Sequence, residues 1–169
     1  MALLAGPALF WRGFHYLRTS RLIENTPTAR IRSVAMGLAE LHGQVRGRSQ
    51  MTAPFSGRPC AYWEIDIAVR GRQRGGWSQV HRNASGNPFF VQDQTGVALV
   101  YPHGADCKVR FGTDEECWGL NLPDVYAEYL SAHPSLGSTL GRLSWMRFRE
   151  RTLEDGMEVY VLGTAMPRR

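Results

Sequence analysis

Residues 88–105 constrain the fold more than any other stretch. Phe89, Phe90 and Val91 are strand formers suited to a buried, pleated surface. Asp93 can bond its own backbone two residues on, and Gly96 can take positive φ, so the chain is expected to reverse between them. Val97 to Tyr101 is a second β-rich run, and Pro102, which lacks an N–H, should end it or hold it to an edge. The stretch predicts a hairpin, with Asp93 as a turn former. The alternative role for Asp93 is a catalytic or metal-binding carboxylate.

A second pattern lies upstream. Cys60 to Val69 alternates, with Trp63, Ile65, Ile67 and Val69 on one face and Glu64, Asp66 and Arg70 on the other. This predicts a half-buried strand with Glu64 and Asp66 solvated. Gly71 to Gly76 reads as a basic turn and Trp77 to Arg82 as the return strand. Thr26-Pro27 reads as the start of a short helix over about 27–33, and Val34 to Val45 as a long strand kinked by Gly37 and Gly43. Cys107 to Phe111 reads as a strand. Residues 112–145 break the β rhythm and read as an insertion, with a helix from Pro123 in which Val125, Tyr126, Tyr129 and Leu130 share a side. Met146 to Leu153, a turn at Glu154-Asp155-Gly156, and Met157 to Ala165 return to β.

About seven strands with little helix predict a mainly β fold: a small, partly open antiparallel β-barrel of OB-like kind with a helical insertion and a short N-terminal helix. A β-sandwich is the alternative. The expected organisation is an N-terminal segment, 1–21, and one β domain, 22–169, with its insertion at about 112–145.

The 169 residues carry 21% charged and 43% hydrophobic side chains, a globular composition. Net charge is +5, concentrated towards the N-terminus. Residues 1–48 hold seven Arg against two Glu, whereas residues 111–169 hold six basic and nine acidic groups. Such a basic excess can face anionic lipid or nucleic acid, or simply aid solubility. Three cysteines, Cys60, Cys107 and Cys117, give neither a disulfide framework nor a Cys-x-x-Cys pair, and Cys60 is expected to pack as a small hydrophobe. Five scattered histidines supply no close ligand set. No metal and no cofactor is expected.

No apolar run reaches the roughly 18 residues that span a bilayer. Residues 1–11, ending in Trp11, are uncharged and mostly apolar, and Arg12, Phe14, Arg18 and Arg21 follow. Aromatics and arginines just past an apolar run suit the interfacial end of a membrane anchor, or a short amphipathic helix packed on the domain. A second constellation, Arg70, Arg72, Arg74, Trp77 and Arg82, falls on one hairpin. It could hold an acidic protein segment or lipid headgroups, grip single-stranded nucleic acid by stacking and charge, or serve only to keep an exposed edge soluble. No Gly-x-Ser-x-Gly, paired Cys/His or P-loop pattern points to catalysis.

Further motifs run in order: Thr26-Pro27-Thr28-Ala29-Arg30-Ile31-Arg32-Ser33-Val34-Ala35-Met36-Gly37, then Glu40 and Gly43; Pro54-Phe55-Ser56-Gly57-Arg58-Pro59-Cys60; Asp93-x-Thr95-Gly96; Pro102-x-Gly104-Ala105; Arg149-Glu150; and Gly156-Met157-Glu158-Val159-Tyr160-Val161-Leu162-Gly163. Together, over about residues 22–165, they resemble the GIDE or "beside a membrane" domain. That domain occurs in membrane-anchored RING-type E3 ubiquitin ligases of the MULAN kind and in bacterial relatives. The resemblance implies a domain beside the bilayer, between two transmembrane helices, that recruits substrate proteins rather than carrying out transfer. The chain departs from the pattern at Pro167-Arg168-Arg169, where no second helix follows, and in lacking the paired zinc ligands of a RING. Its apolar start is also shorter than a complete first helix. Ubiquitin transfer by these residues is therefore not expected. The expected role is a membrane-associated, non-catalytic module that binds a protein partner, on an unspecified side of the membrane. The alternative is an OB-like binder of single-stranded nucleic acid.

Overall fold

A computed structural model describes residues 28–71, 75–134, 136 and 144–167. The fold is mainly β. Among the described residues the strands are β1 (Thr28–Ala29), β2 (Gly37–Arg46), β3 (Met51–Thr52), β4 (Pro59–Cys60), β5 (Tyr62–Arg70), β6 (Trp77–Ala84), β7 (Phe89–Gln92), β8 (Val97–Val100), β9 (Thr113–Trp118), β10 (Trp145–Leu153) and β11 (Glu158–Ala165), and α1 (Asp124–Ala132) is an α-helix. They form a five-stranded sheet in the order β1-β2-β7-β8 with β11 paired to β2, a four-stranded sheet β6-β5-β10-β9, and the short pair β3-β4. Neither large sheet closes on itself among the described residues.

Two compact units share these strands. The smaller is built around β2 and β11, with residues 91–98; the larger comprises residues 45–90 and 99–157.

In the smaller unit β11 pairs antiparallel with β2, from Glu158 opposite Gln44 to Ala165 opposite Gly37. Leu41, Val91 and Val159 are buried there. The predicted helix over 27–33 is instead the two-residue strand β1, parallel to β2, and a 3-10 turn at Ile31–Ser33. The sheet is thus not wholly antiparallel. The Asp93 turn is as expected. Its Oδ1 accepts hydrogen bonds from Thr95 N, the Thr95 hydroxyl and Gly96 N at 2.6, 2.7 and 2.8 Å. Oδ2 reaches back to Ile31 N at 2.9 Å and pins the 3-10 turn to the hairpin. Gly96 does not have positive φ. A Cβ there would stand 3.2 Å from Ile31 Cγ2, so close approach selects the glycine. Gly43 is tighter: its Cβ would lie 2.5 Å from the Gln92 carbonyl oxygen.

In the larger unit the alternation in β5 places Ile65 and Ile67 fully inside, with Trp63 and Val69 packed at the margin of the same core. Phe55, Tyr126, Leu136, Met146 and Phe148 complete it. Helix α1 lays Val125, Tyr126, Tyr129 and Leu130 on this core. Tyr126 stacks on Phe148 with centroids 4.1 Å apart, and Phe55 stands edge-on to both rings. Cys60 is buried, and burial first, then Glu150 and Glu154, pushes its thiol up to about 11.

Three expectations fail here. Residues 107–111 form no strand, and the β rhythm does not break at 112, because Asp114, Glu115 and Glu116 lie within β9. Arg147 on β10 pairs with Asp114, and the Tyr126 hydroxyl donates to Glu115. Glu64 and Asp66 are not solvated but 2% and 3% exposed. β5 is an inner strand of its sheet, and its second face is covered by arginine side chains rather than water.

Candidate functional site: the arginine-lined face of the four-stranded sheet

Residues paired across strands point to the same face, so register sorts the side chains of β5 and β10. Ile65 faces Glu150, Ile67 faces Phe148 and Val69 faces Met146 on the core side. On the other side Glu64 faces Arg151, Asp66 faces Arg149 and Ala68 faces Arg147. Strand β9 adds Asp114 opposite Arg149, Glu116 opposite Arg147 and Trp118 opposite Trp145. Strand β6 adds Arg82 opposite Asp66 and Trp77 opposite Arg70.

The charges on this face are closely matched. Arg82 Nη2 donates to Glu64 Oε2 at 3.0 Å, and the Tyr62 hydroxyl donates to the same oxygen at 3.4 Å. Burial first, then Glu64, pushes the Tyr62 hydroxyl up to about 12. Arg151 Nε lies 3.5 Å from Glu64 Oε1, and its Nη1 donates to the Cys107 carbonyl. Asp66 accepts from Arg149 and from the Gln79 amide. Arg147 forks onto both oxygens of Asp114 at 2.6 Å, and this pairing holds the Asp114 carboxyl below its usual range. The Phe111 ring lies over two of the guanidiniums, 4.6 Å from that of Arg149 and 3.9 Å from that of Arg151.

On the core side Glu150 is 1% exposed. It accepts from Phe55 N at 2.6 Å and Ser56 N at 3.0 Å, clamping the loop before β4 to β10. Nearby, the Tyr129 hydroxyl lies 3.1 Å from His81 Nε2, and the Tyr129 ring stacks on His133. Burial first, then His133, lowers the His81 pKa. A cleft of about 350 Å³ near Arg58 and Glu154 is crossed by their ion pair at 3.6 Å.

The binding constellation expected from the sequence is only partly assembled. Arg70 is exposed at the end of β5, opposite Trp77, which lies 5.8 Å from the Arg147 guanidinium. Arg82 is committed to Glu64. Arg72 and Arg74 lie outside the described residues, as do Trp11, Arg12, Phe14, Arg18 and Arg21. Sequence reasoning missed Trp118, Trp145 and Leu120, which are 37%, 43% and 64% exposed. Their only signal was Trp-Gly-Leu and Ser-Trp flanking the apparent insertion, and the pairing of β9 with β10 brings the two tryptophans together. Among the described residues no group of three or more His, Cys, Asp or Glu is placed to hold a metal ion, and no helix is long and apolar enough to cross a membrane.

The GIDE family model, described as E3 Ubiquitin ligase, matches residues 66–169, which include β6 to β11 and most of β5. The chain belongs to the GIDE family. No curated protein and no solved structure matches it. Arg149-Glu150, one of the motifs behind the resemblance, now has a physical role on each side of one strand. Arg149 neutralises Asp66 on the outer face, and Glu150 clamps the Phe55 loop on the inner face.

Proposed function

We propose that this GIDE chain is a non-catalytic, membrane-proximal module that binds a protein partner, in the manner of the substrate-recruiting part of membrane-anchored ubiquitin ligases. One observation carries the reading: the interior carboxylates are occupied. Glu64 is held by Arg82 and Tyr62, Asp66 by Arg149 and Gln79, and Glu150 by two backbone N–H groups. A general acid or base must reach a substrate proton at hydrogen-bond distance, and these groups spend that capacity on the fold. The side chains left at the surface are recognition groups: tryptophan, leucine and arginine. The family's description as E3 ubiquitin ligase supports a place in a ligation system.

The test is discharge of ubiquitin from a charged conjugating enzyme. The purified chain should leave the discharge rate at its background value. Acceleration by the chain alone overturns the non-catalytic reading. Three tryptophans at one end of one sheet favour a second reading, single-stranded nucleic acid stacked on the rings. Tight binding of a short single-stranded DNA at physiological salt would establish it instead.

A further inference from the structure

The outermost row of the four-stranded sheet has properties that the rest of its face lacks. At that level Trp77 stands opposite Arg70 on β6 and β5, and Trp145 opposite Trp118 on β10 and β9. The Trp118 and Trp145 rings meet edge to face at 5.8 Å. Beyond Trp118 the chain makes a tight turn, with Asn121 N bonded to Trp118 O at 2.8 Å and Gly119 N to Ser144 O at 3.1 Å. Leu120 projects from this turn and is 64% exposed. Backbone hydrogen bonds, not a loose loop, hold an aliphatic side chain out into solvent.

We infer that this row is a lipid-docking edge, with Leu120, Trp118 and Trp145 seated in the headgroup region of an anionic bilayer and Arg70 on lipid phosphate. The inference rests on the membrane-proximal reading above and names the surface that would serve it. A projecting apolar tip on a turn is covered most simply by a soft medium that closes around it. Tryptophan, with an apolar body and an N–H donor, favours the interface between hydrocarbon and water. Arg70 supplies charge complementarity, being exposed and without an ion pair among the described residues. Arg147 is engaged twice by Asp114 and serves Trp77 as a platform. A nucleic-acid strand presents a phosphate at every step and calls for several free cations. Among the described residues this row offers one, Arg70, and Leu120 has no plane on which a base could stack.

Vesicles of phosphatidylcholine with or without phosphatidylserine test the edge on the whole chain. The chain should partition onto the anionic vesicles, and Leu120→Glu and Arg70→Glu should each weaken this on the order of tenfold. Brominated acyl chains should quench tryptophan emission of the bound protein, and Trp118→Phe with Trp145→Phe should remove most of that quenching. Circular dichroism of each variant confirms folding, and the quenching of the unaltered chain stands independently of the charge variants. Full binding by folded Leu120→Glu and Arg70→Glu overturns the edge while leaving the membrane-proximal reading intact. Quenching undiminished in the Phe variant does the same. Absence of vesicle binding by the unaltered chain overturns both.

Discussion

Asp66 and Arg149 face each other across β5 and β10, with Arg149 Nε and Nη2 at 3.0 and 2.6 Å from the same carboxylate oxygen. The Asp66 side chain is 4% exposed and that of Arg149 27%, so the acid depends on the base more than the base on the acid. Arg149→Leu should cost about 3 kcal/mol or more, because it strands a buried anion. Asp66→Asn keeps an acceptor and leaves the partly exposed guanidinium near water, so its cost should be smaller. Urea denaturation of the two variants compares them. Equal costs would show that the anion is not the expensive partner.

Glu150 should tolerate no amide. Glu150→Gln turns an N–H group towards a donor at Phe55 or Ser56, and the loss should be about 1–3 kcal/mol. Amide hydrogen exchange reads it directly: the Phe55 and Ser56 amides should lose protection while the β5–β10 ladder keeps its own.

Asp93 sets an acid limit. The Ile31 N–H above all, with the Thr95 and Gly96 donors, lowers its pKa from 3.8 to about 2. A carboxyl depressed in the folded state contributes fully above its unfolded value and loses that contribution as pH falls through the folded one. Melting temperature should therefore drop between pH 4 and about 2 more steeply in the parent chain than in Asp93→Asn.

His81 sets a milder one. Its pKa lies below the ordinary 6.5, so the folded state disfavours its proton. Stability from this group is complete above pH 6.5 and falls as the solution is acidified below that value. The facing groups are Tyr129 and His133 from the α1 side, Asn83 on its own strand and Asp66 on β5, whose charge opposes the shift. His81→Gln should flatten the melting profile between neutral pH and about pH 5. An unchanged slope would place the sensitivity elsewhere.

The two close-approach glycines should differ. A Cβ on Gly43 meets backbone atoms of Gln92, which cannot swing aside, and Gly43→Ala should cost about 1–3 kcal/mol. A Cβ on Gly96 is crowded by the Ile31 side chain at 3.2 Å and stands at an ordinary contact distance of 3.7 Å from Arg32 N, and Gly96→Ala should cost less. Chemical denaturation of both variants decides the order.

What could be read from the sequence, and what could not, follows from the range of each interaction. The Asp93 turn was legible because Thr95 and Gly96 lie within three residues of it. The bond to Ile31 spans 62 residues and left no local mark. The alternation of Trp63, Ile65, Ile67 and Val69 located the core. Alternation cannot tell a watered face from one covered by arginine arms, since both call for Glu64 and Asp66, and the arginine that closes Asp66 lies 83 residues on. Strand β9 was hidden by its acidic composition, which is unfavourable in a lone strand and favourable beside Arg147 and Arg149. With β9 went the Trp118–Trp145 pair, and with it the half of the candidate surface that no hairpin motif could reveal.

The pairing of β2 with β11 also dictates an order of events during synthesis. Among the described strands, the first long one to leave the ribosome, β2, is paired along one edge with the last, β11. All of residues 45–157 emerge in between, and they include the whole of the larger unit. That unit can be complete while this edge of β2 still shows unpaired N–H and C=O groups. A nascent chain halted before Glu158 would present that edge to any extended segment nearby. Completing the smaller unit thus waits for residues 158–165, and slow passage over them should fall most heavily on its yield.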